Sequence, residues 1–362
     1  MVGKASSKRI AKVFTECKGT DAIILVNGLT RDPNFTYLTE FGSGIFEGSI
    51  LVAVRPNKLH LMTSILEYDT AVSEKQKNMG ITVMKSSKQV KAELSRFLRG
   101  KRVGVNASIL SMRLYKYIKK LKPKSLDDVS EKLLAARMIK DDGEIRKIKK
   151  ASDITKAAMR EIRKYFKKGV TELELAARFN YIMYEKGATG LAFDTIVAFG
   201  KNAAYPHHMP DNSRLKEGEV VLIDAGAKFE NYCADVSRTE IFKPEKSKDI
   251  GATREMLATV LEAQKAAIKA IKPGRIAADI HNIAANTIDT AHKGIYKGKF
   301  IHALGHSVGI EVHDGEGFSP GVRFRLKPGM VITAEPGIYL VGSEGARFED
   351  DVLVTEHGCK VL

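Results

Sequence analysis

The sequence predicts an α/β protein of two domains: an N-terminal layered α/β domain and a C-terminal α+β domain with internal pseudo-twofold symmetry. Three observations predict it. At 362 residues the chain exceeds what one hydrophobic core usually organises. Short apolar segments alternate with amphipathic ones over residues 1–125. In the remainder, a pattern of two helices followed by a β-rich stretch occurs twice.

In the first domain, Ala22 to Val26 and Ser49 to Val54 read as short strands. Arg55-Pro-Asn-Lys is a turn into a third strand, Leu59 to Met62, so a hairpin is expected. Val90, Leu94, Phe97 and Leu98 share one face of a helix over Val90 to Leu98, which Gly100 ends. Arg102 to Val105 is another strand and Leu110 to Leu121 another helix, an alternation that favours a mainly parallel sheet. This half holds a single histidine, His60, and no carboxylate cluster, so the chemistry is expected elsewhere. Pro123 and the polar stretch Lys124 to Ser130 mark a boundary. Residues 126–140 are expected to be a linker and 141–362 the second domain.

The second domain opens with a long helix, Glu144 to Tyr165. Thr171 to Lys186 follows, with a Thr171/Glu174 capping box at its start and Gly187 at its end. Arg254 to Ile271, stopped by Lys272-Pro273-Gly274, and Ile276 to Ala291, closed near Gly294, repeat the pair. The β-rich stretches are Val220 to Phe242 and Met330 to Val354. A cleft between the two copies is the natural place for a site.

Composition narrows the function classes. Hydrophobic content of 44% and charged content of 28% suit a soluble globular protein. No apolar run approaches the ~18 residues of a membrane span, and the charged N-terminus lacks the apolar segment of a secretory signal. Cys17, Cys233 and Cys359 are dispersed and odd in number, with no CxxC pair. Neither a disulfide framework nor a thiolate zinc site is indicated, and a reducing cytoplasm is the expected location. The net charge of +16, from 59 basic and 43 acidic residues, raises nucleic acid as a partner. The lysines, however, are spread through helical segments such as Lys116 to Lys124, no nucleic-acid motif accompanies them, and tryptophan is absent. A solvated basic surface is the expected reading, with no specific nucleic acid and no membrane partner.

The chemistry lies in the β-rich stretches. Val220-Val-Leu-Ile-Asp224 is an apolar strand ending in an acid, and Tyr232-Cys-Ala-Asp235 opens the return strand. In a hairpin with a two-residue loop, paired numbers add to an odd value, so Asp224 and Asp235 fall on the same face. Two ionised carboxylates on a mostly apolar face call for a cation. In the second copy, His302-Ala-Leu-Gly-His306 and Glu311-Val-His313 place three histidines around a glycine-rich bend. Glu335 sits within an apolar strand, and Arg347 and Glu349 share a face of the next. Four carboxylates and one imidazole form an oxygen-rich set that suits a pair of Mn²⁺, Co²⁺ or Fe²⁺ ions better than a structural zinc. Taken singly, each such residue is more often a cap or a packing group, and it is the ordered set that points to function. His208, beside His207, is given no role, and Cys233 is read as a small apolar filler.

These segments resemble the creatinase/prolidase class of "pita-bread" metallopeptidases, which includes aminopeptidase P, prolidase and methionine aminopeptidase. The resemblance is carried by Phe193-Asp-Thr-Ile-Val-Ala, Pro206-His207, Ile223-Asp224-Ala-Gly, Ala234-Asp235-Val-Ser-Arg-Thr, Gly305-His306-Ser-Val-Gly, Glu311-Val-His313-Asp, Glu335-Pro-Gly-Ile-Tyr339 and Arg347-Phe-Glu349-Asp. It implies a creatinase/prolidase-like N-terminal domain and a pita-bread catalytic domain that cleaves Xaa-Pro peptide bonds. Creatinase itself does not use the ligand positions for metal; here all five are present. The resemblance implies that Asp235 and Glu349 bridge two divalent ions, that Asp224 completes one ion's coordination and that His306 and Glu335 complete the other's. The ions are expected to be manganese or cobalt, with iron or zinc as alternatives, and the nucleophile a water bridging them. It further implies a proton relay by Glu335 and carbonyl or oxyanion contacts from His207 and His313. His302 is expected to line the substrate cleft, with Tyr339 and Arg347 in support. A homodimer is expected.

Dipeptidases of this class grip the substrate's C-terminal carboxylate with an arginine after the His-Asp motif. Here the arginines of that stretch, Arg323 and Arg325, come late. Xaa-Pro dipeptides are the expected substrate, with aminopeptidase activity on longer peptides the alternative. A non-catalytic binding protein on the same fold is a remoter one.

Overall fold

A computed structural model of the chain describes residues 4–28, 30–243 and 250–362. Its backbone divides into two units at Arg137/Met138. The first unit comprises α1 (Lys4–Glu16), β1 (Ala22–Val26), α2 (Pro33–Thr39), β2 (Ile50–Val54), β3 (Lys58–Thr63), α3 (Ile65–Ser73), β4 (Met79–Val83), α4 (Ser87–Leu98), β5 (Arg102–Val105), α5 (Met112–Lys119), β6 (Ser125–Asp128) and α6 (Ser130–Met138). Its strands form one sheet in the order β4-β3-β2-β1-β5-β6. The outer pairings, β3 with β4 and β1 with β5 with β6, are parallel. The central pairings of β2 with β1 and β3 are antiparallel; between β2 and β3 the link Arg55 to Asn57 is too short for a parallel crossover. Ile24, Val52, Met62 and Val103 pack with Leu94 and Leu98 of α4 in its core.

Residues 126–140, expected as a linker, are instead structured. β6 lies parallel to β5 with Leu126 opposite Val103, and α6 buries Leu133 and Ala136. Ser125-Leu-Asp-Asp128 carries one apolar residue because β6 is an edge strand. The helix α2 was likewise not anticipated. All of its residues are buried, so no amphipathic period marks it, and its start rests on the Asp32 side chain accepting the Asn34 N–H and on Pro33 at the first helical position.

The second unit runs α7 (Asp142–Glu161), α8 (Glu172–Glu185), β7 (Gly190–Leu191), β8 (Ile196–Phe199), β9 (Val220–Ala225), β10 (Ala227–Phe229), β11 (Tyr232–Cys233), β12 (Val236–Ile241), α9 (Gly251–Ala270), α10 (Ala277–Thr290), β13 (Val331–Ala334), β14 (Gly337–Leu340), β15 (Glu344–Arg347), β16 (Asp350–Val354) and β17 (Cys359–Val361). Reciprocal capping boxes start α7 (Asp141/Glu144) and α8 (Thr171/Glu174). The helix pairs α7/α8 and α9/α10 each precede a long hairpin. No helix among the described residues is long and apolar enough to cross a membrane.

Each long hairpin is interrupted once. In the first, β9 pairs with β12 and β10 with β11. Its tip is the two-residue turn Glu230-Asn231, both residues at positive φ. In the second, β13 pairs with β16 and β14 with β15. In both, the register carries on unchanged across the break.

Candidate active site

Three acids, Asp235, Glu335 and Glu349, occupy the breaks, and Asp224 lies in the paired strand beside the first. In the first hairpin Ala225 pairs with Val236 and Lys228 with Cys233, which sets Asp235 opposite Gly226; one step away Asp224 pairs with Ser237. A Cβ on Gly226 would lie 1.9 Å from the Ala234 carbonyl oxygen, so the strands can approach this closely only with glycine there. In the second hairpin Ala334 pairs with Asp350 and Gly337 with Arg347, which sets Glu335 opposite Glu349. His306 joins them from the bend after α10. There Gly305 crosses Thr333 so closely that a Cβ would meet its carbonyl oxygen at 2.0 Å, and the Thr333 N–H donates to the His306 carbonyl. The His306 Nε2 lies 3.4 Å from both Asp235 Oδ2 and Glu335 Oε1. Ligating atoms of Asp235, His306 and Glu349 all fall within 4.8 Å of one another.

Burial gives these acids unusual proton affinities. Desolvation, followed by the charges of Glu349, Asp224 and Glu335, raises the Asp235 pKa well above its ordinary value. Burial, with Glu335 and Asp224 as neighbours, does the same to Glu349. Glu335 is pushed up to about 8, mainly by burial. Burial holds His302 and His306 down at about 4, so both are neutral near pH 7. Within this set of acids, three carboxylate oxygens, Asp224 Oδ1, Asp235 Oδ1 and Glu349 Oε1, are buried without a hydrogen-bond partner, as is Asp351 Oδ1 beside them. A buried, unpaired carboxylate oxygen is costly, and this donor set of four carboxylates and one neutral imidazole fits divalent cations.

Arg347 supplies the positive charge the chain itself brings. Burial works against its charged form, yet Tyr339, Asp224, Glu335 and Glu349 hold its pKa above the ordinary arginine value. Its Nη2 donates to Asp224 Oδ2, its Nε to Ser237 Oγ at 2.9 Å, and its Nη1 to Tyr339 Oη at 2.9 Å and the Pro206 carbonyl at 3.3 Å. Since Tyr339 accepts from Arg347, its hydroxyl proton points to His302 Nε2, 2.9 Å away, while His302 Nδ1–H donates to the Ala303 carbonyl at 2.7 Å. Both ring nitrogens of His302 are thus engaged, and it presents the ring itself to the cleft.

The cleft has a volume of about 740 Å³. His207, His302, His306 and His313 line it with Asp224, Asp235, Glu335 and Arg347, and Phe193, Ile196, Ile301 and Val312 supply apolar wall. The His306 and His313 rings meet edge to face, with centroids 4.1 Å apart. Neither Arg323 nor Arg325 is among the lining residues. Arg325 Nη1 donates to the Gly274 carbonyl between α9 and α10, because its segment bridges to Ile276 rather than bending into the cleft. The expected carboxylate grip therefore draws no support from the cleft lining for either arginine. Cys233 is fully buried, as a filler should be.

Some residues at the site carried no signal of their own in the sequence. Ser237 accepts from Arg347 and donates to Glu349 Oε2 at 2.8 Å; its position two residues after Asp235 on the same face was the available clue. Asp351 Oδ2 accepts the Asp235 N–H at 3.3 Å. Asp314, buried, accepts the Ile310 N–H within the histidine bend at 3.3 Å.

Known proteins with this sequence pattern and fold are numerous. Residues 146–356 match metallopeptidase family M24, and residues 9–139 match the creatinase/prolidase N-terminal domain. An uncharacterised peptidase of Staphylococcus saprophyticus is 42% identical over 238 residues, 66% of each chain, so the match spans just under two thirds of that relative. The Xaa-Pro dipeptidase of Pyrococcus horikoshii is 34% identical over 98% of this chain and 97% of its own. Among solved structures, the X-Pro aminopeptidase of Thermotoga maritima superposes with a TM-score of 0.85 at 31% identity, covering 96% of each chain. The chain belongs to metallopeptidase family M24, and it carries that family's creatinase/prolidase N-terminal domain.

Proposed function

We propose that this metallopeptidase hydrolyses Xaa-Pro bonds with two divalent ions, manganese or cobalt, held by Asp224, Asp235, His306, Glu335 and Glu349. The observation that carries this reading is the set of three buried carboxylate oxygens without hydrogen-bond partners, on Asp224, Asp235 and Glu349. Four carboxylates match the charge of two divalent cations. Asp235 and Glu349 would contact both ions, Asp224 one of them, and His306 and Glu335 the other. Bound there, such ions supply Lewis acidity and a water of lowered pKa.

The chain's own groups do the rest. Glu335, which lines the cleft beside the other ligands, would pass a proton toward the leaving proline nitrogen. His207 and His313, both exposed at the cleft wall, would donate to the scissile carbonyl and the developing oxyanion. Arg347 and Ser237 fix the orientation of Asp224 and Glu349. Proline lacks an amide hydrogen and has a fixed backbone angle, so an apolar wall such as Phe193, Ile196 and Ile301 selects its ring without reading a backbone donor.

Similarity to the Pyrococcus horikoshii Xaa-Pro dipeptidase supports dipeptides as substrate. One observation favours the second reading, an aminopeptidase acting on longer peptides. Arg347 is the single arginine lining the cleft among the described residues, and its guanidinium is already taken up by Asp224, Ser237, Tyr339 and Pro206. The three cysteines are unpaired, which suits a cytoplasmic location, and a homodimer is expected from the family kinship. Measuring metal stoichiometry alongside hydrolysis of Leu-Pro and Leu-Pro-Gly-Gly tests the reading. Absence of tightly bound divalent metal from a protein active on these peptides would overturn it.

A further inference from the structure

We propose that Glu172 and His208 are positioning residues for the reaction, a buried clamp that fixes the loop presenting His207 to the cleft. This role rests on the proposed action of His207 at the scissile carbonyl. Glu172 is the first residue of α8, directly after the Thr171 cap, and its side chain is completely buried. A carboxylate there benefits from the positive end of the helix dipole. All its acceptor capacity goes to one loop. Oε1 accepts the Phe199 N–H at 2.7 Å and the Asn202 amide at 2.9 Å. Oε2 accepts the Asp211 N–H at 3.1 Å and faces His208 Nε2 at 2.7 Å. One carboxylate therefore ties both ends of the segment 199–211, and Tyr205, Pro206 and His207 in between line the cleft.

The His207 ring has no hydrogen-bond partner among the described residues, so its place comes from the backbone that carries it. That backbone is a turn, with the His208 N–H donating to the Tyr205 carbonyl at 3.1 Å, and Pro206 suits its second position. The residue before His207 is held through its carbonyl by Arg347. The residue after it is held through its side chain by Glu172. An ionised carboxylate only accepts, so His208 Nε2 carries the proton. Glu172, His208 and Asp211 stand close enough to suggest a second cation site. Both oxygens of Glu172 are already taken by N–H donors, however, and Asp211 is exposed with Oδ1 accepting the Ser213 N–H at 2.6 Å. The group is a hydrogen-bonded clamp.

The clamp is tested in the full-length, metal-loaded protein with His208→Ala, His208→Gln, His207→Ala and the double variant. His208→Ala should lower kcat about 10- to 10²-fold, the scale of a small misplacement of a reacting group, with metal content unchanged. His208→Gln, whose amide can still donate to Glu172, should recover most of that loss. In the His207→Ala background, removing His208 should change kcat by less than about twofold, since the two act as one unit. Equal losses in both backgrounds, or no loss from His208→Ala alone, would overturn the clamp. An activity-free readout separates its failure from failure of the hydrolase reading. In histidine-labelled protein the His207 ring resonance should shift and broaden in His208→Ala and return in His208→Gln, and an unchanged resonance counts against the clamp. Should His208→Ala fail to fold, Asn202→Ala, which cuts another tie from Glu172 to the same loop, is read the same way.

Discussion

Glu335 faces Glu349 across the second long hairpin at the one place where that hairpin's pairing is interrupted. Like charges directly opposite one another destabilise a strand pair, and these two are buried as well. A cation removes the conflict. Chelation should therefore abolish hydrolysis, and Mn²⁺ or Co²⁺ should restore it. Asp235→Asn or Glu349→Gln should lower kcat/KM by more than about 10²-fold, beyond the usual cost of an outer-sphere change, while the chain stays folded by circular dichroism. Full activity in a verified metal-free sample would refute the assignment.

The metal-free protein should have a distinctive pH–stability profile. Asp235, Glu335 and Glu349 have raised pKa values when folded, Glu335 rising from 4.5 to about 8. Their contribution is present at low pH and is lost as pH climbs through that interval. His302 and His306 are lowered from 6.5 to about 4, so theirs is lost as pH falls through that interval. The Tm of metal-free protein should peak on the mildly acidic side of neutrality and decline toward pH 8. Metal should abolish the alkaline decline. A metal-free Tm that rises from pH 6 to pH 8 would contradict the buried-acid cluster.

His313→Ala should retain both metals and lower turnover roughly 10²–10³-fold, the scale of one lost oxyanion donor. Metal analysis beside steady-state kinetics checks it. If KM rises while kcat is preserved, His313 binds substrate and does not act on the oxyanion.

Ser237→Ala deletes one hydroxyl that accepts from Arg347 and donates to Glu349. Metal affinity should fall about 10- to 100-fold, the usual cost of removing a partner of a metal ligand. Titration with a chromophoric chelator reads this directly, and unchanged affinity would mean that Arg347 and Glu349 hold their places without the link.

Substrate length is decided by comparing kcat/KM for Leu-Pro and Leu-Pro-Gly-Gly. Because neither Arg323 nor Arg325 lines the cleft, Arg323→Ala and Arg325→Ala should leave the dipeptide KM within about twofold of wild type, as for surface changes away from a site. A large, dipeptide-specific rise in KM would restore one of them as the carboxylate grip. A clear preference for the tetrapeptide would mark an aminopeptidase.

The two-domain architecture and the repeated helix-pair-then-hairpin unit were legible because amphipathic period, capping boxes and turn residues are local signals. Asp224 and Asp235 on one face followed from strand alternation alone, since the turn at Glu230-Asn231 has the two residues assumed. Other features depended on long-range packing. The helix α2 is buried all round and so has no period, and β6 at a sheet edge has too few apolar residues to announce itself. The approach of Gly305 to Thr333, which delivers His306, joins segments distant in sequence and leaves only a glycine as its trace. The arginines near the histidine bend matched a motif in composition, but bridging to Ile276 takes their segment elsewhere. His208 looked idle because its partner Glu172 lies 36 positions away.

The two interrupted hairpins also bear on how ions leave. One brings Asp224 and Asp235, and the other brings Glu335 and Glu349. On the proposed two-ion reading, neither half alone would neutralise both cations, so loosening either one would expose the pair to water. The dissociation rate of metal should therefore be governed by whichever half opens more readily, and it should report local opening of that hairpin. Substitutions in the α7/α8 or the α9/α10 layer that speed hydrogen exchange of one hairpin would shorten the residence time of both ions together.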